Sequence, residues 1–494
     1  MPIITCDVAV VGAGPGGTAA AVTATRGGAG VVLVDGEARP GGQYWRHGSA
    51  DVAETGVVAE HRAQWRAVSR RLDQALASGR LTYLARTRVW RLDPPGESAP
   101  ADLHAVRSGR DGDIPVRIRA AAVVLATGAH DRVLPFPGWD LPGVLTAGAA
   151  QALLKEHGVV AGSRVVVGGT GPFLLPVAAA LADAGAHVLE VAEAGTGRGW
   201  ARGWRAAAGA PGKIADGVRY AALLARHRVP VHCRHAVVAA SGDGRLDAVT
   251  VARVDGDWRA MPGTERRVEC DAVAVSWGFA ARLELALQAG CDTGPGPDGA
   301  PAVRVDAVGR TSAPSVLAAG EIAGVGGADL AVLEGAVAGT AAAAVAAGRE
   351  PVAPHPGIQA RRERLAGFAA AMHAAHPIRP GWTGWLTPDT VVCRCEEVSV
   401  AAVREAVEQL GADDPRTVKL LTRAGMGWCQ GRMCGEAVAG LVADATGTDV
   451  DPFGGALAAA SRPVAAPVPL GAVAAEEPDM PIDRQSDPRS GGPS

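Results

Sequence analysis

Lysine is nearly missing from this chain of 494 residues: only Lys155, Lys213 and Lys419 stand among 48 basic side chains. That bias follows genomic base composition and says nothing about chemistry. A large excess of charge of either sign is missing too, since the formal net charge is -3, and no basic run is interleaved with aromatics, which excludes nucleic acid and anionic membranes as expected partners. Met1 to Asp7 lacks a basic segment followed by an apolar core and a small-residue cleavage site, so a cytoplasmic location is expected. There is no His-x-x-x-His pair and no nucleophile elbow, so zinc-protease and α/β-hydrolase chemistry lack support. An 18-residue stretch without charge, Val165 to Ala182, is broken by Gly168, Gly169, Gly171, Pro172 and Pro176, and reads as a buried strand, turn and helix, so no transmembrane segment is expected.

What is present is an ordinary globular composition, 48% apolar and 20% charged, in a chain too long for one core, so two or three domains are expected. Asp7 to Val11, Gly12 to Gly17, Thr18 to Arg26 and Val31 to Val34 read as strand, glycine turn, helix and strand, a βαβ unit. Polar, arginine-bearing sequence over 44–118 reads as an insertion, and Ala120 to Ala126 as a buried parallel strand. A second βαβ unit starts at Arg164 to Val167 and runs to Val191; strands return at Ala272 to Ser276 and Val316 to Ala319, followed by a helix from Ala328 to Ala347.

Gly12-Ala13-Gly14-Pro15-Gly16-Gly17 satisfies the dinucleotide fingerprint between strand and helix, with Asp35 ending the second strand to meet ribose hydroxyls. Gly12 permits the tight turn, Gly14 the approach of a pyrophosphate and Gly17 close helix packing, while the helix N-terminus favours negative charge. The second glycine turn, Gly168-Gly169-Thr170-Gly171-Pro172-Phe173-Leu174, puts Leu174 where the third glycine belongs. NAD(P)H, another nucleotide and a vestigial fold all stay open there, with Glu190 or Glu193 as the acid that would meet a ribose. Pro172 suits the first helical position, and Pro176 distorts the first turn.

Near the C-terminus Cys393-Arg394-Cys395 is followed by Cys429-Gln430-Gly431-Arg432-Met433-Cys434. Two close thiol pairs suit a metal centre, and the first spacing fits structural zinc poorly. Between them Val400 to Leu410 and Pro415 to Ala424 read as short helices. Cys6, Cys233, Cys270 and Cys291 lie in or beside apolar runs and read as buried, inert thiols.

Three later features resemble the two-dinucleotide-domain flavoproteins that include glutathione and thioredoxin reductases: Gly41-Gly42-Gln43, the turn at Thr127-Gly128 after Leu125-Ala126, and Val316-Leu317-Ala318-Ala319-Gly320-Glu321. The resemblance implies FAD at the N-terminal fingerprint, with Thr127 and Gly128 passing close to it and an acid, here Glu321 in place of the usual Asp, on the ribityl chain. No Cys-x-x-Cys or Cys-x4-Cys pair stands near these motifs, which argues against disulfide reduction. Residues 391–445, with Cys-Arg-Cys-Glu and Cys-Gln-Gly-Arg-x-Cys, resemble the bacterioferritin-associated ferredoxin-like module, which implies a [2Fe-2S] cluster on Cys393, Cys395, Cys429 and Cys434.

Nearly the whole chain resembles the FAD-binding α subunit of hydrogen cyanide synthase, opine oxidases and proline or hydroxyproline dehydrogenases. Asp131-Arg132 with Pro135-Phe136-Pro137-Gly138-Trp139, Gly324-Val325-Gly326-Gly327-Ala328, Arg462-Pro463 and Pro467-Val468-Pro469-Leu470-Gly471 carry it further. The fold expected is α/β, two dinucleotide-binding domains plus a small helical C-terminal [2Fe-2S] domain. Its parts are 1–150 and 276–350 for FAD, 151–275 for a degenerate NAD(P)-like domain, 351–390 as linker, 391–446 for the cluster and 447–494 as a mostly unstructured tail. The resemblance implies a hetero-oligomer in which an amino-acid-oxidase-like flavoprotein subunit oxidises an amine or amino acid, and which can include a small ferredoxin-like subunit. This chain then relays electrons and needs no acid–base dyad of its own. A self-contained NAD(P)H-dependent reductase and a non-catalytic scaffold are the rival readings.

Overall fold

The structure, a computed structural model, describes residues 2–48, 56–95, 99–109, 112–448, 455, 457 and 460–474. The strand Ile3–Val11 lies between Val31–Val34, with Val8 opposite Val31, and Gly112–Leu125, with Val8 opposite Ala122, all parallel. Val316–Ala318 returns to pair with Val123 to Leu125. These strands are runs of small and β-branched residues because both faces are buried, one under helices such as Pro15–Arg26 and Ala328–Ala346 and the other against strand residues such as Leu92, Leu103 and Val116, so this sheet has no wet side. The expected insertion is part of the same sheet: Leu81–Leu84 extends it beyond Val31–Val34, and Thr87–Asp93 and Ala101–Gly109 form an antiparallel meander onto Gly112–Leu125.

Helix Pro15–Arg26 packs along helix Ala328–Ala346. A Cβ on Gly335 would lie 2.0 Å from the Gly16 carbonyl oxygen, and one on Gly339 would lie 2.2 Å from that of Ala20, so two glycines one turn apart allow backbone-to-backbone contact. Ala328–Ala346, at 19 residues, is long and apolar enough to cross a membrane, and half of its most apolar window is buried in this packing. Val165 to Ala182 is, as expected, strand Arg164–Gly169 followed by helix Leu174–Asp183.

The chain crosses to its second sheet at Ala129–Asp131, ahead of residue 150, and comes back at Phe279–Ala281; the two crossings pair antiparallel as a ribbon between the domains. The second sheet runs in the order Val231–Cys233, His187–Glu193, Arg164–Gly169, Ala272–Ser276, Val144–Thr146. The segment 351–390 is folded rather than extended. Helix Pro356–Ala375 rests on 198–208, where a Cβ on Gly199 would lie 2.4 Å from Ala375 Cα. Trp382 and Trp385 then join Trp258 and Trp277 in a core shared with the C-terminal module.

That module consists of a two-stranded ribbon, Val391–Cys393 with Val398–Ser399, and helices Val400–Glu408, Pro415–Thr422 and Gly435–Thr446. The first helix starts where Ser399 Oγ accepts from Ala402 N, and the second where Asp414 accepts from Arg416 N and Thr417 N with Pro415 in the first position. Of the segment assigned to the tail, 460–474 runs back over the first domain, with Ala465 N donating to the Trp90 carbonyl and Gln288 Nε2 to that of Pro463. Residues 475–494 lie outside the described residues.

Candidate functional site

One cavity of about 1860 Å³ opens between the two domains and reaches the C-terminal module. Gly12, Gly14, Pro15, Asp35, Gly42, Gln43, Thr127, Gly128 and Glu321 all line it. Gly16, Gly17 and Gly320 do not; they serve the packing behind it. A Cβ on Gly17 would lie 1.7 Å from the Gly12 carbonyl oxygen, and Gly12 itself has φ +102° with no room toward Ala126, so both glycines are demanded by helix-on-strand contact. Gly14 differs: a Cβ there would meet only Gly42 Cα, at 3.9 Å. It caps helix Pro15–Arg26 with no side-chain partner, which leaves first-turn N–H groups beside the cavity, as an anionic pyrophosphate requires.

Asp35 accepts from Ala13 N at 2.5 Å and from Glu37 N at 2.7 Å. Burial raises its pKa against those two donors. Gly41 N donates to the Ala13 carbonyl, clasping the Gly41-Gly42-Gln43 turn to the fingerprint loop. Thr127 Oγ1 donates to the Arg282 carbonyl and Arg282 N to that of Gly128, so the turn is pinned to the returning crossing. Glu321 accepts from Gly327 N at 2.8 Å, and burial pushes its carboxyl up to about 7. Nothing in the sequence marks out Glu334, whose carboxylate accepts from Gly320 N and is likewise pushed up to about 7 by burial.

In the second domain Glu193, not Glu190, is the acid at the glycine loop. It accepts from Thr170 Oγ1 and Gly171 N at 2.8 Å each and from Gly195 N at 2.7 Å. Glu190 is buried instead against Arg266 and His232. Pro172 precedes the helix, which begins at Leu174: the larger residues at 173 and 174 delay the helical turn that glycines allow in the first domain. Leu174 is 1% exposed among apolar neighbours.

The four C-terminal cysteines come together from the ribbon and the 425–434 loop. Cys393 and Cys434 are buried, Cys429 is half-buried and Cys395 exposed. Cys393 shares a hydrogen bond with Cys434, and Cys395 with Cys429. The bond between Cys393 and Cys434, joined by backbone N–H groups of Gly425, Glu396 and Cys395, pulls Cys393 down to about 5 and pushes Cys434 up. Among the described residues no three His, Cys, Asp or Glu side chains are grouped to hold a metal ion; the thiols meet as two pairs, and the pairing with backbone donors suits thiolates bridged by a cluster. Of the other cysteines Cys270 and Cys291 are buried, Cys6 is half-buried and Cys233 is exposed. Cys233 ends an edge strand, where one face is open, so the expectation of burial fails there.

Buried and half-buried charges weld this module to the flavin-type domain. Arg132, beside the crossing ribbon, meets Asp298 at 3.2 Å and Glu436 at 2.5 Å, and Arg432 meets Glu284 at 2.5 Å. Arg432 is therefore not a solvated surface arginine. Arg394 lies over the Trp139 ring at 4.9 Å while Trp139 Nε1 donates to the Val391 carbonyl, which explains the Pro-Phe-Pro-Gly-Trp stretch as a dock for the ribbon. None of these partners was legible as a pair, because each joins segments more than a hundred residues apart in sequence.

Comparison with known proteins agrees with this division. Residues 6–348 match the pyridine nucleotide-disulphide oxidoreductase family and 391–444 the BFD-like [2Fe-2S] binding domain. Hydrogen cyanide synthase subunit HcnB of Pseudomonas aeruginosa is 34% identical over 443 residues, covering 86% of this chain and 90% of that protein. An opine oxidase subunit of Agrobacterium tumefaciens is 32% identical over 441 residues, covering 87% and 84%. The crystal structure of L-proline dehydrogenase from P. horikoshii superimposes with a TM-score of 0.65 at 20% identity, over 96% of this chain and 80% of that one, a likeness of fold.

Proposed function

This chain belongs to the pyridine nucleotide-disulphide oxidoreductase family and carries a BFD-like [2Fe-2S] domain, and from that premise we propose that it is the electron-transfer subunit of a hetero-oligomeric dehydrogenase or oxidase acting on an amino acid, imino acid or opine. Its relatives from hydrogen cyanide synthase and opine oxidase are themselves subunits of oxidative enzymes. The observation that carries the reading is that fingerprint residues and residues of the cysteine-bearing module, Arg432 and Glu436 among them, line one cavity.

FAD takes up two electrons and a [2Fe-2S] cluster passes them on singly. The rest is positioning. The first turn of helix Pro15–Arg26 and the open face of Gly14 would receive the pyrophosphate, Asp35 would orient the ribose end, Gly42 and Gln43 close over the loop, and Thr127, Gly128 and Glu321 face the remainder, with Gly320 packed behind them. Cys393, Cys395, Cys429 and Cys434 hold the cluster, with backbone N–H groups around Cys393 offsetting its charge. A partner amino-acid-oxidase-like flavoprotein subunit oxidises the substrate, and a small ferredoxin-like subunit is the further expected component.

Anaerobic stopped-flow absorbance tests this. The isolated chain should be bleached slowly by NADH or NADPH and hardly at all by proline, hydroxyproline, glycine or opines, and the co-expressed partner should restore reduction by one of the latter. Rapid, saturable reduction of the lone chain by NADH would overturn the relay reading in favour of a self-contained reductase. Reduction by no donor, with or without the partner, would leave the scaffold reading.

A further inference from the structure

Arg432 sits midway in the loop that carries Cys429 and Cys434, and its guanidinium both holds that loop, Nη1 donating to the Cys429 carbonyl at 3.4 Å, and reaches beyond it through Nη2. It meets Glu284 Oε1 at 2.5 Å and donates to the Ala465 carbonyl at 2.6 Å, and it lines the cavity that Asp35 and Thr127 also line. Glu284 is buried and opens the short helix after the returning crossing. Two residues earlier is Arg282, pinned on both sides to the Thr127-Gly128 turn. Burial holds the Arg282 guanidinium below its usual range, with Arg432 the next cause and Glu284 and Asp35 opposing. Asp35, Glu284 and Arg432 thus all lie within electrostatic reach of Arg282, and Arg432 in turn is paired with Glu284 and bonded to the cysteine loop. His130, on the other crossing strand, faces the same backbone at Arg432 and has Nδ1 buried without a partner.

Resting on the reading that FAD and the cluster occupy these two places, we propose that Arg432 is a positioning residue that seats the cluster loop against the flavin cavity and acts as a cation shared by both redox groups, with Glu284 setting how much of its charge they feel. One-electron reduction of a [2Fe-2S] cluster adds one negative charge to it, and reduction of a flavin to its anionic form adds one to the ring. A nearby half-buried cation favours both reduced forms, because its field is screened less than that of a fully solvated one. Removing the carboxylate that partly neutralises that cation has the opposite sign. A purely structural role for the pair gives no such reversal, since breaking a buried ion pair from either side loosens the same contact.

The test is a spectroelectrochemical titration of the full-length holoprotein, read separately at the flavin and cluster absorption bands, with iron and FAD content measured for every variant. Arg432→Gln should lower the cluster midpoint by at least about tenfold in the one-electron equilibrium, roughly 59 mV, and lower the flavin midpoint as well. Arg432→Lys, which keeps the charge, should stay near wild type, and Glu284→Gln should raise the cluster midpoint. Shifts of Arg432→Gln and Glu284→Gln in the same direction, or no shift in either with both cofactors kept, overturn the proposal. If Arg432→Gln fails to hold its cluster, Glu284→Gln decides alone: a raised midpoint supports the proposal, and an unchanged or lowered one overturns it. Wild-type protein purified without FAD would instead sink the flavin assignment, while the cluster band would still report on Arg432.

Discussion

Asp35 and Glu193 occupy corresponding places at the ends of the second strands of the two nucleotide folds, and each binds its own glycine loop. Asp35 reaches Ala13 N and, two residues ahead of itself, Glu37 N. Glu193 reaches Gly195 N in the same way but, being one methylene longer, extends past Thr170 Oγ1 to Gly171 N, the counterpart of Gly14. In the first fold the helix starts at Pro15, directly after Gly14; in the second it starts at Leu174, with Phe173 stacked edge-on against Phe279 at 5.1 Å between ring centres. The second loop thus spends on its own acid a donor that the first keeps for a ligand, and aromatic bulk stands where the first fold has Gly16. The same βαβ geometry is preserved in both because strand and turn packing require it; only the first retains the opening.

The largest effect that sharpens this contrast lies outside both folds. Cys429→Ser should reduce iron from two atoms per chain to nearly none, since thiolates are the expected ligands, while FAD content stays near wild type. Loss of both cofactors together, by iron assay and flavin absorbance, would show that the cysteine loop also builds the flavin site. Next in size is the glycine pair. Gly14→Val places methyl groups in open cavity at little cost to the folded chain, so FAD affinity should fall at least about a hundredfold, some 2.7 kcal/mol or more, by equilibrium dialysis. Gly171→Val, forced into φ +99°, should cost about 1–2 kcal/mol of stability and leave FAD binding unchanged. Equal losses of FAD in the two variants would break the comparison.

Much of this was legible in local chemistry. Val31–Val34 and Ala272–Ser276 are runs of small and β-branched residues too short for helices, and Pro15–Arg26 follows directly from the fingerprint. Gly12 and Gly17 could be assigned because only glycine tolerates those contacts. What stayed hidden depends on tertiary pairing: Glu334 reads as one polar residue in an alanine-rich helix, and Arg132 with Glu436 or Arg432 with Glu284 join distant segments whose charges look like solvated surface. The stretch 351–390, rich in proline, suggested a linker, yet Trp382 and Trp385 carry enough apolar area to bury it against Trp258 and Trp277. Residues 460–474 looked aperiodic because, apart from the short helix Leu470–Ala474, their order comes from bonds of their backbone to the Trp90 carbonyl and the Gln288 side chain.

The smallest effect is a difference of sign between two acids. Glu193 is buried, which alone would raise its pKa, but His376, Gly195 N and Thr170 hold it below the usual carboxylate range. Its contribution is therefore present above the unfolded pKa and lost as pH falls through the folded one. Glu321 has the reverse imbalance, pushed up to about 7 from 4.5 by burial, so its contribution is present below 4.5 and lost as pH rises through about 7. Glu193→Gln should cost about 1–3 kcal/mol at pH 8, because three donors then face an amide, and less in acid. Glu321→Gln removes a charge that burial penalises, and should gain up to about 3 kcal/mol at pH 8 relative to pH 5, an upper figure that relief of neighbouring Glu334 complicates. Thermal unfolding of wild type and both variants from pH 5 to pH 8 reads the two signs directly. If the two difference curves ran parallel, the acids would be playing one role, and the second fold would have to be regarded as a copy of the first rather than a loop closed upon itself.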